Sequence, residues 1–457
     1  MRLIRGREPL LLIGIALIIL LLVFNIRWSW VSDDITYLNA TNPAGQFGGS
    51  IWAFLGQRLN TWTSRVAIEA ALFSVVNHVW LWRLLTALAF WLLVVLPPLF
   101  TSRSREVRLL LLPISGFLVL SIPNTVWFDA GFMATSANYL WALAATLLAA
   151  LPAIFIGQLR KFSRWWYLAS VPALLYAGSS ELAAVLLAAL YAVVLAMVLF
   201  ANHPGRRSFI SDSVGVLAIK RTRVLFPLAL YFLFLISMVI FHITSPGNAA
   251  RGQNPDWFGP TAPVIFERAY SATLNQIFMS GYVAALALFG IIGLINYRRY
   301  GWSLFTLIAM FPVFGTLLLS DRFFGGGTMG TMFNNLFRDG NLLWDATGPV
   351  LYQTTYLANL FAFGFLTLLL LATVFAICTA FWGTPQLAPV LALLAAGFAT
   401  KFIAVNTVGQ ALALPYHRTD TYLLFAMVMA ILLASSRLAD SNITGHQVEA
   451  TKGVLNG

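Results

Sequence analysis

The sequence predicts an all-α fold, a polytopic bundle of transmembrane helices, and three observations carry that prediction. Of 457 residues, 60% are hydrophobic and only 10% charged, with a mean hydropathy of +0.81; such a chain has too little polar surface for a water-soluble globule. Apolar runs of spanning length recur from one end of the chain to the other. The basic residues behind the net charge of +12 are scattered through short segments between those runs. That pattern excludes a nucleic-acid footprint, which would gather them on one face, and makes them topology signals.

Met1 to Arg7 is a short basic leader, and Leu10 to Ile26 is an apolar run just long enough to span, which reads as an uncleaved signal anchor because no A-x-A-like site follows. Further spans are expected near 79–99, 109–122, 138–157, 166–178, 182–201, 224–243, 276–296, 302–320, 355–381, 387–405 and 420–435. The total is about twelve, with the runs at 109 and 166 short for a full crossing. Residues 1–435 thus read as one transmembrane domain, and the polar, Pro-free stretch 436–457 as a disordered cytoplasmic tail. The single cysteine, Cys378, excludes an intramolecular disulfide, and no zinc-ligand spacing is present.

With the N-terminus in the cytoplasm, 18 of the 28 Lys and Arg fall on the inner side with 5 of the 16 Asp and Glu, a net +13 inside against −1 for the remainder. This asymmetry fixes the expected orientation. The long polar loops, 27–64, 123–137, 244–275, 321–354 and 406–419, then all face outward, so activity is expected at the outer face.

The outer side carries an unusual polar set. Asp33 and Asp34 follow the first run, and Trp62-Thr63-Ser64-Arg65 with Glu69 leads to the second. Asn138-Tyr139-Leu140-Trp141 opens another, and Ser179-Ser180-Glu181 is the hinge between two more. Pro246-Gly247-Asn248-Ala249-Ala250-Arg251 and the segment Pro415 to Asp420 flank others. The adjacent acids at 33 and 34 suit either a helix cap or a chemical task. Arg65 and Glu69, four apart, suit a mutual surface pair as well as a site. Trp80, Trp82, Trp127, Trp141, Trp257 and Trp344 read as an interfacial belt, and Gly325 to Gly330 as a flexible loop, since no Gly-Lys-Ser/Thr ending accompanies it. Glu181 is different: apolar residues flank it for more than ten positions on both sides, so its carboxylate must face a wet cavity or a cation. Arg251 and Arg418 sit where loops meet spans, and a guanidinium is shaped to hold a phosphate at two points.

Together, Asp-Asp after the first span, Trp-x-x-Arg, Asn-Tyr-Leu-Trp, Ser-Ser-Glu and Pro-Gly-Asn-x-x-Arg resemble the bacterial membrane glycosyltransferases of the GT-C class, in particular a branch of glucosyltransferase-like proteins. The resemblance follows the span order from about residue 10 to 435. It implies a polyprenyl-phosphate-linked sugar donor, transfer at the outer face of the bacterial cytoplasmic membrane, and an acid of the first outer loop at the reaction centre. A glycan, lipid or protein of the cell envelope would be the acceptor, as in polysaccharide biosynthesis. The large C-terminal outer domain with which many members hold the acceptor is not expected from these residues.

Such chemistry needs a carboxylate to take the acceptor's proton, cations to neutralise the leaving phosphate, and exclusion of water. Asp33 or Asp34 is assigned as base, Arg251 and Arg418 as phosphate clamps with Arg65 as a weaker third, and Glu181, Asn138, Tyr139 and Asn248 as orienting groups. Hard oxygen ligands at Asp33 and Asp34 would suit Mg²⁺ or Mn²⁺, although Arg clamps do not require a metal. The same residues would also serve a transporter or flippase of lipid-linked sugars, against which the short inner loops argue, or an outer-face glycan polymerase or ligase.

Overall fold

A 17-residue apolar segment such as Glu8 to Phe24 can satisfy its own backbone groups in a hydrocarbon setting only as a helix, and the same physics organises the whole chain. The computed structural model describes residues 8–102, 104–157, 164–200, 221–252, 282–319, 356–384, 386–408 and 418–455, with a few isolated positions near 270–278 and 344–349. In order the helices are α1 (Glu8–Phe24), α2 (Asp33–Ala40), α3 (Ile51–Thr61), α4 (Val66–Val75), α5 (Val79–Thr101), α6 (Arg105–Leu120), α7 (Asn124–Phe128) and α8 (Phe132–Thr135). A π-helical turn, Ser136–Trp141, leads into α9 (Ala142–Gly157), followed by α10 (Arg164–Gly178), α11 (Glu181–Phe200), α12 (Arg221–Thr244) and α13 (Pro246–Gly252). Then come α14 (Val283–Tyr300), α15 (Leu304–Leu319), α16 (Tyr356–Phe381), α17 (Leu387–Val408), a 3₁₀ turn at Arg418–Asp420, and α18 (Thr421–Leu455). The only strand pairing among the described residues is a two-residue antiparallel bridge of Trp344–Asp345 with Gly348–Pro349.

Among the described residues, each apolar run expected from the sequence falls largely on a helix. Among the described residues, six helical stretches are long and apolar enough to cross a membrane: Val79–Thr101, Phe132–Ile156, Glu181–Leu199, Leu225–Thr244, Phe363–Phe381 and Arg418–Ala439. Shorter apolar helices include Glu8–Phe24, Val66–Val75, Tyr167–Gly178, Leu304–Leu319 and Leu387–Lys401. Helix α18 runs on to Leu455 and carries the polar tail with it. The expected outer loop 27–64 likewise contains α2 and α3, whereas 321–343, most of 253–275 and 409–417 lie outside the described residues.

By internal contacts the chain divides into two compact units, a division that no composition shift marks: one of Pro97–Val126 and Pro255–Gly457, the other of Arg2–Leu96 and Trp127–Asn254. In the first, α14 packs against α15, α16 and α18, and α17 against α18. Some of its buried polar groups are paired inside it: Asn296, fully buried, donates to the Ala376 carbonyl at 2.9 Å. Lys401 and Asp420, both 0% exposed, meet at 2.5 Å.

The second unit holds α1 to α4, most of α5, and α8 to α13. Three tryptophans expected at the membrane interface belong to its core instead. Trp82, Trp127 and Trp141 are buried, whereas Trp80 is exposed. The indole N–H groups explain why burial is tolerated: Trp82 donates to the Ser136 hydroxyl at 3.2 Å and Trp141 to the Thr86 hydroxyl at 3.1 Å. Trp257 and the Trp344 side chain lie outside the described residues.

Candidate functional site

The two adjacent acids have opposite fates. Helix propensity places Asp33 and Asp34 in the first turn of α2, where negative charge suits the helix dipole, and their side chains then point to different surroundings. Asp33 is exposed. Asp34 is 1% exposed, and its Oδ1 accepts the backbone N–H of Met133 at 3.1 Å and of Ala134 at 2.8 Å. Asp34 therefore caps a helix, although it is the distant α8 and not its own. The clasp is reciprocal, because the Asp33 N–H donates to the Ala130 carbonyl at 3.0 Å.

Two backbone features make room for it. Ser32 holds φ +46°, and Gly131 holds φ +128°, where a Cβ would sit 2.7 Å from Asp34 Oδ1; only glycine meets both conditions at 131. Burial pushes the Asp34 carboxyl up to about 6, against the pull of the Ala134, Met133 and Phe132 N–H groups, with the charge of Asp33 adding to the rise.

One turn beyond this cap the helix widens into the π-turn Ser136–Trp141, a local geometry that often serves functional sites. It carries Asn138 and Tyr139. Asn138 donates back to the Ala134 carbonyl at 2.9 Å and accepts from Arg65 Nη1 at 3.0 Å. Arg65 Nε lies 2.7 Å from Glu181 Oε2, and the Tyr139 hydroxyl is a further partner of the guanidinium. Burial works against the Arg65 charge, and Glu181, ahead of Tyr139, more than offsets it, so the guanidinium is held firmly in its charged form. The pair is not sealed: its side chains are 21% and 23% exposed.

Three segments bring the pair together. The Ala67 N–H, two residues after Arg65, donates to the Ser179 hydroxyl at 2.9 Å, two residues before Glu181. Tyr176 donates to the Ala137 carbonyl at 2.9 Å, which fastens α10 to the π-turn. Asn248 donates to the Ser64 hydroxyl at 2.8 Å and to the His242 carbonyl at 2.9 Å.

Seven of the nine residues picked from the sequence, Asp33, Asp34, Arg65, Asn138, Tyr139, Glu181 and Asn248, thus belong to one linked set of segments within one unit. Arg251 closes α13 in the same unit, but its side chain lies outside the described residues. Arg418 belongs to the other unit, in the 3₁₀ turn fastened by Lys401. Arg65 and Glu69, whose spacing suited a mutual pair as well as a site, go to other partners. Glu69 is bound instead by Arg58, with Nε to Oε2 at 3.1 Å and Nη2 to Oε1 at 3.2 Å, and by the Tyr37 hydroxyl at 3.1 Å. This trio ties α2, α3 and α4 together, and the guanidinium lies over the rings of Tyr37, Phe54 and Trp62.

Arg58, Ser64, His242 and Lys401 were not singled out as partners by sequence reasoning, and Glu69 was considered only as a partner of Arg65. A lone His or Lys inside an apolar run, as at 242 and 401, is a signal that could have been read, since burial demands a polar partner. The Asp33–Asp34 pair is a poor metal chelate. Two N–H groups already point their positive ends at Asp34 Oδ1, and no group of three or more His, Cys, Asp or Glu side chains able to hold a metal occurs among the described residues. The arrangement that is present offers an exposed carboxylate, a buried one that fixes its backbone, and a half-buried ion pair flanked by an amide and a phenol. No protein-family model, curated protein or solved structure matches the chain.

Proposed function

We propose that the protein is a membrane glycosyltransferase of GT-C type, with about twelve spans and its N-terminus in the cytoplasm. It would move a sugar from a polyprenyl-phosphate donor to a glycan, lipid or protein acceptor at the outer face of the bacterial cytoplasmic membrane. The single observation that carries this reading is the convergence of Arg65, Glu181, Asn138 and Tyr139 on the helical segment whose N-terminus Asp34 caps. An acid pair, a cation and two orienting groups separated widely in sequence are thereby brought onto linked elements.

In this reading the acceptor oxygen attacks the anomeric carbon, the bond from that carbon to the phosphate oxygen breaks, and the acceptor's proton passes to Asp33, the exposed carboxylate. Asp34 holds the backbone of Asp33 in place. Arg65 offsets the charge that develops on the leaving phosphate, while Glu181 sets the guanidinium's direction. Arg251, in the same unit, keeps the phosphate-binding role that its residue type suggests.

The test is sugar release from a polyprenyl-phosphate donor by purified wild type, Asp33→Asn and Asp34→Asn. Asp33→Asn is expected to lose about 100 to 10,000 fold in rate with donor binding retained, and Asp34→Asn to keep most of it, because its remaining oxygen can still accept both N–H groups. Equal rates in all three proteins would sink the base assignment. Donor binding without any new glycoside, in wild type too, would favour a carrier of lipid-linked sugars instead.

A further inference from the structure

His242 lies in the apolar helix α12, is 5% exposed, and has both ring nitrogens engaged. Nε2 is 2.8 Å from the Gly178 carbonyl oxygen, and Nδ1 is 2.6 Å from the Ser64 hydroxyl. A carbonyl can only accept, so Nε2 carries the hydrogen; in a neutral ring Nδ1 then accepts from the Ser64 O–H. The assignment is consistent around Ser64. Its oxygen already accepts from Asn248 Nδ2 at 2.8 Å, and its own hydrogen needs an acceptor, which an unprotonated Nδ1 supplies.

The two backbone sites that His242 joins are the neighbours of the ion pair. Ser64 precedes Arg65, and Gly178 opens the Gly178-Ser179-Ser180 turn that leads to Glu181. A seryl hydroxyl hydrogen-bonded to a neutral imidazole also has the form of an activated nucleophile. Here, however, Ser64 is 0% exposed and its oxygen is occupied by Asn248, so no electrophile can reach it.

We propose that His242 is a positioning residue: a neutral, Nε2-protonated imidazole that clamps the Ser64 and Gly178 segments at a fixed separation and thereby sets the Arg65–Glu181 ion pair. The proposal does not rest on glycosyl transfer, and its test needs no sugar donor. In full-length protein in detergent, modification of Arg65 by an arginine-selective dicarbonyl is measured by mass spectrometry beside that of Arg58, whose guanidinium is held by Glu69 and not by Glu181. His242→Phe keeps a ring of similar volume and removes both hydrogen bonds. Its Arg65 is expected to react several-fold faster while Arg58 is unchanged. His242→Asn, which can still accept from Ser64, is expected to rescue the effect in part.

The spectroscopic arm is nitrogen NMR of protein labelled in histidine, with His242 assigned by its loss in the variants, and the neutral Nε2–H tautomer is the expected signature. The proposal is overturned by unchanged Arg65 reactivity in His242→Phe, by an equal rise at Arg58, which would mean general loosening, or by a cationic or Nδ1–H ring in the wild type. Labelling of Ser64 by a serine-reactive phosphonate would overturn it as well, by showing an accessible nucleophile.

Discussion

Arg65 and Glu181, 116 positions apart in the chain, meet with Nε 2.7 Å from Oε2, and the same guanidinium reaches Asn138 Oδ1 at 3.0 Å with a second nitrogen. The planar fork is what allows two partners at fixed angles, and an ammonium cannot reproduce it. Arg65→Lys keeps the charge but can satisfy Glu181 or Asn138 and not both. A hydrogen bond to a charged group is worth about 1.5–3 kcal/mol, so the proposed transfer rate is expected to fall roughly ten- to a hundredfold. Comparison of kcat/KM for wild type, Arg65→Lys and Glu181→Gln checks this, and a Lys variant with wild-type kcat/KM would remove the geometry from the argument.

Gly247 explains why a Pro-Gly-Asn sequence opens α13. A Cβ there would lie 2.6 Å from the Leu59 carbonyl oxygen and 2.6 Å from the Thr63 nitrogen, both backbone atoms that cannot give way. Gly247→Ala must therefore push α13 off α3, with an expected loss of about 1–3 kcal/mol. Gly56, inside α3, is the matched control. Nothing lies within 4 Å of its added Cβ, and Gly56→Ala is expected to stabilise by about 0.5–1 kcal/mol. Thermal unfolding of the two variants in detergent should therefore shift in opposite directions.

These residues also show what the sequence makes legible. A long apolar run announces a helix, because only a helix satisfies a segment's backbone groups within that segment, and among the described residues such runs are largely helical. Glu181 is legible for the same reason turned round: a carboxylate between two apolar stretches needs a partner. The identity of that partner is not legible. Arg65 lies four residues from Glu69, and local spacing favours that pair, yet Glu69 goes to Arg58 and Arg65 to Glu181 because three helices meet there. Similarly, a Trp at a helix end reads as an interfacial anchor, and nothing in its spacing reveals that Ser136 or Thr86 waits inside to accept its N–H. The cap formed by Asp34 on Met133 and Ala134 shows the same limit. Residue type indicated a cap, and only the tertiary fold decides which helix receives it.

Lys401 and Asp420 form an ion pair with neither side chain exposed, and Lys401 also donates to the Thr419 hydroxyl at 3.3 Å. Removing one charge from such a pair is costly, about 3–5 kcal/mol, whereas replacing both with uncharged groups is often close to neutral. Lys401→Met alone is expected to lower yield and unfolding temperature sharply. Adding Asp420→Asn should restore most of the loss. If the double variant is no better than the single, the charges are not coupled in the way their separation implies.

Asp34 gives a pH dependence whose sign can be worked out. Burial raises its carboxyl from 3.8 to about 6, so between those values the folded protein holds this proton more tightly than the unfolded chain does. The group therefore contributes no penalty at the acid end, destabilises the fold progressively as pH rises through that window, and leaves a constant penalty above it. Asp34→Asn mimics the protonated side chain at every pH, and its single oxygen can accept from both Met133 and Ala134, as Oδ1 does in the wild type. The difference in unfolding temperature between variant and wild type is thus expected to be small near pH 4, to grow in favour of the variant up to about pH 6, and to level off beyond. A variant that loses stability relative to wild type as pH rises would mean that the N–H groups at the start of α8 favour the ionised carboxylate more than burial opposes it. Asp34 would then be a charged cap held below its ordinary range, and it could share the base role with Asp33.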